Sequence, residues 1–221
     1  MTNEIVSFLA GFISGVVTNW IAWWILYHRV VPRITFSDSL SRTPLKKSRE
    51  DKCGYRYKFK IQNLGARNAI DLEMTARLVV KGKETGVWSF VDIPLSPDGS
   101  PSYNIPRLLP AKKGGRRRRM TMFLYVNSTD ILRDWSAFPR DVRRKAKMGT
   151  LRLEELMALG SESKLEICVF CYDELSGSRK LFTSKPYTID SIKNGPFDPY
   201  GMDVLETGVT SAYRESEEER S

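Results

Sequence analysis

From Ile5 to Tyr27 the chain runs for 23 residues without a charged side chain, and 17 of these are hydrophobic. As a helix rising 1.5 Å per residue, that stretch is about 34 Å long, slightly more than a hydrocarbon core of ~30 Å. A secretory leader would open on basic residues and end at a small-residue cleavage site. Here the run is preceded by Met1-Thr-Asn-Glu4 and ends among Trp20, Trp23, Trp24 and Tyr27. Aromatic side chains at one end of an apolar run mark a membrane interface. Residues 5–27 are therefore predicted to be a retained transmembrane helix, with 1–4 outside. Direction follows from charge: Glu4 alone precedes the run, whereas His28, Arg29, Arg33, Lys46, Lys47 and Arg49 follow it. The cation excess places the remainder of the chain in the cytoplasm, where its cysteines are reduced.

Within the run, Ser7, Gly11, Gly15 and Asn19 recur every four residues. That spacing puts them on one helix face, where small side chains let two helices approach and Asn19 can bond across. The expectation is homo-oligomerisation through this face. A span that carries small residues without associating is the plain alternative.

Beyond Pro32 the hydrophobic period changes from 3.6 to 2. Residues 33–40 alternate, 41–53 read as a polar loop, and Tyr55, Tyr57, Phe59 and Ile61 alternate with Arg56, Lys58 and Lys60. Asn63-Leu-Gly65 reads as a turn before a strand over 70–80. Further strands are expected near 86–93, 103–108, 120–126, 164–172 and 179–189, and Asn194-Gly195-Pro196 is expected to close the fold. Between them, 130–147 and 150–159 look helical, split by Pro139, with Thr150 as a helix cap. The predicted architecture is an all-β, immunoglobulin-like antiparallel sandwich over 28–213 with a helical insertion at 128–160. A small closed β-barrel is the alternative. The acidic tail at 214–221 is expected to be disordered.

Three segments carry a resemblance: Pro32-Arg-Ile-Thr-Phe-Ser-Asp-Ser-Leu-Ser41, Tyr55-Arg-Tyr-Lys-Phe-Lys-Ile-Gln-Asn63 and Ala69-Ile-Asp-Leu72. Over residues 1–80 the chain resembles a group of uncharacterised bacterial single-pass membrane proteins, each with an N-terminal helix and a β domain. The likeness implies a bacterial inner membrane, and it carries no activity with it. In architecture alone, one helix plus a small cytosolic β domain is similar to membrane effectors of antiviral defence.

The net charge of +9 is unevenly placed. Lys112, Lys113, Arg116, Arg117, Arg118 and Arg119 surround a Gly-Gly pair, and Arg133, Arg140, Arg143, Arg144, Lys145 and Lys147 lie in the predicted insertion. Clustered Arg forks onto phosphate oxygens. On a domain tethered to the inner leaflet, each such cation contributes about 1 kcal/mol of attraction to anionic lipid. Anionic headgroups are thus the leading ligand for 112–119, ahead of nucleic acid or nucleotide and of a merely solvated loop. Cys168-Val-Phe-Cys171 has zinc or redox spacing, but it sits on an alternating strand where the two thiols face opposite sides. No metal site follows. No nucleophile elbow or phosphate loop is present, and the one histidine stands at position 28, so no catalytic residue or cofactor is expected. Tyr172, Tyr187 and Tyr200 read as core and rim residues.

The function expected from these features is that of a membrane-anchored, non-enzymatic effector or sensor. It would serve in antiphage defence, acting through helix oligomerisation and membrane perturbation. The alternative is a membrane-tethered adaptor that docks a cytosolic protein partner, anionic lipid or nucleotide through its basic loops, with 128–160 as the docking element.

Overall fold

The computed structural model describes residues 2–28, 31–44, 54–111, 119–126 and 138–206. The uncharged run forms helix α1, Thr2–His28, and its stretch Glu4–Ile25 is long and apolar enough to cross a membrane. Side chains over this stretch are exposed, so none of the other described residues covers its apolar surface.

Among the described residues the chain then builds ten strands in two sheets. In the first, β3 (Tyr55–Asn63) is central. One edge pairs antiparallel with β7 (Arg119–Leu124). The other pairs with β1 (Ile34–Phe36) and then β2 (Leu40–Pro44), laid end to end. The step between them is the bulge Ser37–Ser39, whose first residue bonds back to β3: Ser37 N–H donates to Lys60 O at 2.9 Å and Ser37 Oγ accepts Lys60 N–H at 3.1 Å. A short parallel strand, β10 (Ile192–Asn194), adds to β2.

The second sheet repeats this plan on a longer rail. β4 (Ala69–Gly82) and β8 (Gly160–Asp173), 14 residues each, pair along their whole length. On the far edge of β4 lie β6 (Ser102–Leu108) and β5 (Trp88–Ile93), again end to end, while β9 (Arg179–Thr183) pairs with β8. The two ladders are separate among the described residues, as in a layered β structure and not a single closed ladder.

Alternation decides what is inside. Tyr57, Phe59 and Ile61 from the first sheet meet Met74, Ala76, Leu78, Leu165, Ile167 and Val169 from the second in one core. The insertion completes it. Helices α2 (Arg140–Lys147) and α3 (Leu153–Met157) bury Val142, Ala146, Leu153, Leu156 and Met157 in that same core, with Leu151 between them. They cap the end where β3 begins: Tyr57 Oη donates to Glu154 and accepts the Leu153 N–H at 3.1 Å, and Arg42 Nη1 reaches Glu154 Oε1 at 2.5 Å. The apolar side of 140–157 is therefore spent on the fold, and its charged side faces outward.

Other expectations shift at their edges. The predicted loop 41–53 opens with strand β2, because Ser41, Arg42 and Thr43 find partners on β3. Arg152, not Thr150, caps α3; the Thr150 hydroxyl closes the end of α2 by bonding Lys145 O at 3.2 Å. The strand predicted over 179–189 stops at Thr183 and gives way to a 3-10 turn, Ile189–Ser191. Of the three tyrosines read as core and rim residues, Tyr187 is the core one: it is 1% exposed and its hydroxyl donates to Ser37 O at 2.5 Å. Beyond Gly195 the chain does not stop but folds over the first sheet, with Phe197 bridged to Val204. The expected helical part 130–137 and the acidic tail 214–221 lie outside the described residues.

Candidate functional site

The place where the chain leaves α1 is tightly built. Only residues 29 and 30 separate the helix from Val31. From there, Asn63, the fully buried last residue of β3, holds the backbone by its side chain. Its Oδ1 accepts Arg33 N–H at 3.0 Å and Gly65 N–H at 2.9 Å, while Nδ2 donates to Arg67 O at 2.7 Å and Leu108 O at 3.3 Å. Leu64 N–H closes onto Arg33 O at 2.7 Å. Gly65 completes the clamp, since a Cβ there would stand 2.1 Å from Val31 O and 2.7 Å from Pro32 Cα. Only glycine lets the backbones come so close.

The same end of the domain carries an ion pair whose acidic member is sealed from water. Arg67 Nη1 meets Asp173 Oδ2 at 3.1 Å, and the Asp173 side chain has no exposure. Burial pushes its carboxyl up, but the Ser176 hydroxyl, the Leu175 N–H and Arg67 outweigh burial and hold it below the usual carboxylate range. Leu175 beside this pair and Leu64 next to the clamp are exposed side chains, 74% and 54% exposed.

Of the predicted phosphate- or lipid-binding residues, Lys112, Lys113, Arg116, Arg117 and Arg118 lie outside the described residues, and Arg119 lies within them. Both attachment points of that segment are at the clamp end. Ala111 N–H donates to Asn63 O at 2.8 Å, and Arg119 stands opposite Gln62, its Nε donating to Gln62 Oε1 at 3.3 Å. The cations that alternate with the apolar residues of β3 lie alongside. Lys58 and Lys60 face Phe123 and Thr121 across the ladder, under the chain segment that returns over this sheet. Lys60 is 5% exposed, and its Nζ donates to Asp198 O at 2.6 Å and Gly201 O at 3.0 Å while lying 5.2 Å from the Phe197 ring centre. Arg119 Nη1 donates to Tyr200 O. Burial first, and then Arg56, lowers the Lys58 ammonium; burial first, and then Arg119, lowers that of Lys60, with Asp198 opposing.

The predicted helix-packing residues Ser7, Gly11, Gly15 and Asn19 share one exposed face of α1, and beyond the local helix backbone no atom of the described residues lies within 4 Å of where a Cβ would stand on Gly11 or Gly15. Cys168 and Cys171 point to opposite sides of β8, one half-buried and the other in the core. No group of three or more metal-ligating side chains occurs among the described residues.

Sequence reasoning missed Asn63 and Gly65 as a clamp, reading them as a turn. It missed Lys58 and Lys60 because what covers them comes from residues 196–201, far away in the chain. No family model matches the chain, and no curated protein does.

Proposed function

We propose that this chain is a non-enzymatic effector or sensor anchored by one span in a bacterial inner membrane, with the N-terminus outside. In this reading the cytosolic part is an immunoglobulin-like sandwich, a description its two facing sheets support. The single observation that carries the proposal is the clamp of Asn63 and Gly65 on Val31–Arg33. A domain that grips the chain within a few residues of a helix end transmits its own movements to that helix; a domain on a slack linker does not.

The cations help fix what the domain faces. The segment containing Lys112, Lys113 and Arg116–Arg118 is attached at the clamp end, through Ala111 and Arg119. A tether of two residues keeps that end close to the inner leaflet, where anionic headgroups attract it. Leu64 and Leu175 are then suited to enter the interface. Helix association through Ser7, Gly11, Gly15 and Asn19 supplies the output, perturbing the membrane as in antiphage defence.

Overexpression in bacteria with a potential-sensitive dye tests this. Wild-type protein should depolarise the cells. A flexible six-residue Gly/Ser insertion after Arg29, or Gly11→Leu with Gly15→Leu, should abolish the effect at equal abundance in the membrane fraction. An unchanged potential with wild-type protein, together with stoichiometric capture of a cytosolic protein, would instead establish the adaptor reading.

A further inference from the structure

The face of the first sheet that turns away from the core is not open. Residues 196–201 cross it and border an open-sided cavity of about 320 Å³ lined by Lys58, Lys60, Arg119, Thr121, Phe197 and two prolines. Three of these side chains are cations, a fourth is a hydroxyl donor, and no carboxylate lines the cavity. Among the described residues, Lys58, Lys60 and Arg119 make no ion pair. The nearest carboxylate, on Asp198, is turned to its own loop, where Oδ1 accepts Tyr200 N–H at 2.9 Å.

Concentrating like charges under a covering segment is unfavourable unless something answers them. Burial first, and then the neighbouring cations Arg56 and Arg119, lowers both lysine ammoniums, with Asp198 opposing in part at Lys60. Lys60 is also pre-positioned. Two of its three N–H groups are fixed on carbonyls, so its place does not depend on a ligand. Opposite it, Phe197 and the prolines supply an apolar wall. A cavity of this size holds a phosphate together with the ring or sugar that carries it.

We propose that this cavity binds the phosphate group of a small phosphorylated ligand, either a soluble nucleotide-like molecule or a lipid headgroup. Arg119 and Lys58 grip the oxygens, Lys60 and Thr121 donate from the floor, and Phe197 covers the attached group. The site shares Arg119 with the basic segment, but it needs neither helix association nor membrane contact to exist.

The test uses the full chain in phosphatidylcholine nanodiscs, titrated with inorganic pyrophosphate by calorimetry. Saturable binding is expected. Lys58→Gln and Arg119→Gln, at partly exposed positions that should not disturb folding, should each weaken it about tenfold or more. Lys185→Gln, an equal change of charge paired with Asp38 elsewhere, should change it less than about twofold. Discs doped with phosphatidic acid are compared with discs matched in charge by phosphatidylserine. Weaker pyrophosphate binding with phosphatidic acid alone identifies a lipid headgroup as the occupant, whereas equal binding in both identifies a soluble one. Absence of saturable binding in phosphatidylcholine discs, or equal weakening by all three substitutions, would overturn the proposal.

Discussion

Asn63 Oδ1 accepts the backbone N–H of Arg33 at 3.0 Å, tying the end of β3 to the chain five residues beyond α1. The same fully buried side chain serves Gly65, Arg67 and Leu108. Asn63→Leu keeps the branching and heavy-atom count but leaves two N–H groups and two carbonyls without their side-chain partner. The cost should be about 3 kcal/mol, since each unsatisfied buried group costs ~1–3 kcal/mol and part is relieved by relaxation. Chemical denaturation measures it. A loss under about 1 kcal/mol would mean that the clamp is not structural.

Gly65→Ala asks a different question. The added carbon would meet Val31 O at 2.1 Å and Arg33 N at 2.6 Å, both backbone atoms that no side-chain rotation can move. The exit segment must therefore shift. The expected cost is about 2 kcal/mol, with faster proteolysis between α1 and β1 while the rest of the domain stays resistant. Unchanged proteolysis there would show that the segment has slack.

Much of the architecture is legible in the sequence because it is written in local periods. The uncharged run gives α1, and the alternation of Tyr55, Tyr57, Phe59 and Ile61 gives the central strand. What the periods miss is non-local. Ser41–Thr43 carries no apolar alternation and is a strand only because β3 offers an edge. Lys60 looks solvated until residues 198–201, some 140 positions later, lie across it. Asn63 and Gly65 carry ordinary turn chemistry, and their partners at 31–33 belong to the other side of a strand pair.

Tyr57 and Glu154 join the helical cap to the core. Burial first, then the Glu154 carboxylate, drives the Tyr57 hydroxyl far above its ordinary range. A raised folded-state value means that this contribution to stability is complete below about pH 10 and is lost as pH rises beyond it. Tyr57→Phe should cost about 1–2 kcal/mol at neutral pH and flatten the alkaline limb of the stability profile. Hydrogen exchange over Leu153–Met157 should quicken. Unchanged exchange there would detach the cap from this bond.

The two cysteines of β8 should behave as opposites. Burial first, then Asp173, pushes the Cys171 thiol up to about 11, and it faces the core, whereas Cys168 lies on the outer face against Thr183. Iodoacetamide at pH 8, a condition under which only exposed or acidic thiols react, should label Cys168 in the native protein and spare Cys171 until unfolding. Equal labelling of both would contradict their placement on opposite faces.

The β4–β8 ladder also separates two electrical environments. It begins beside the clamp, where Ala69 faces Asp173, and ends where Gly82 faces Gly160, near Trp88. At about 3.3 Å per residue the two ends are ~43 Å apart, some five Debye lengths at physiological salt. Charges gathered at the helix-exit end are therefore screened out before they reach the Trp88 end. A macromolecule arriving there would be steered by Arg77, Lys81 and their neighbours alone, at a rate indifferent to the charges at the other end.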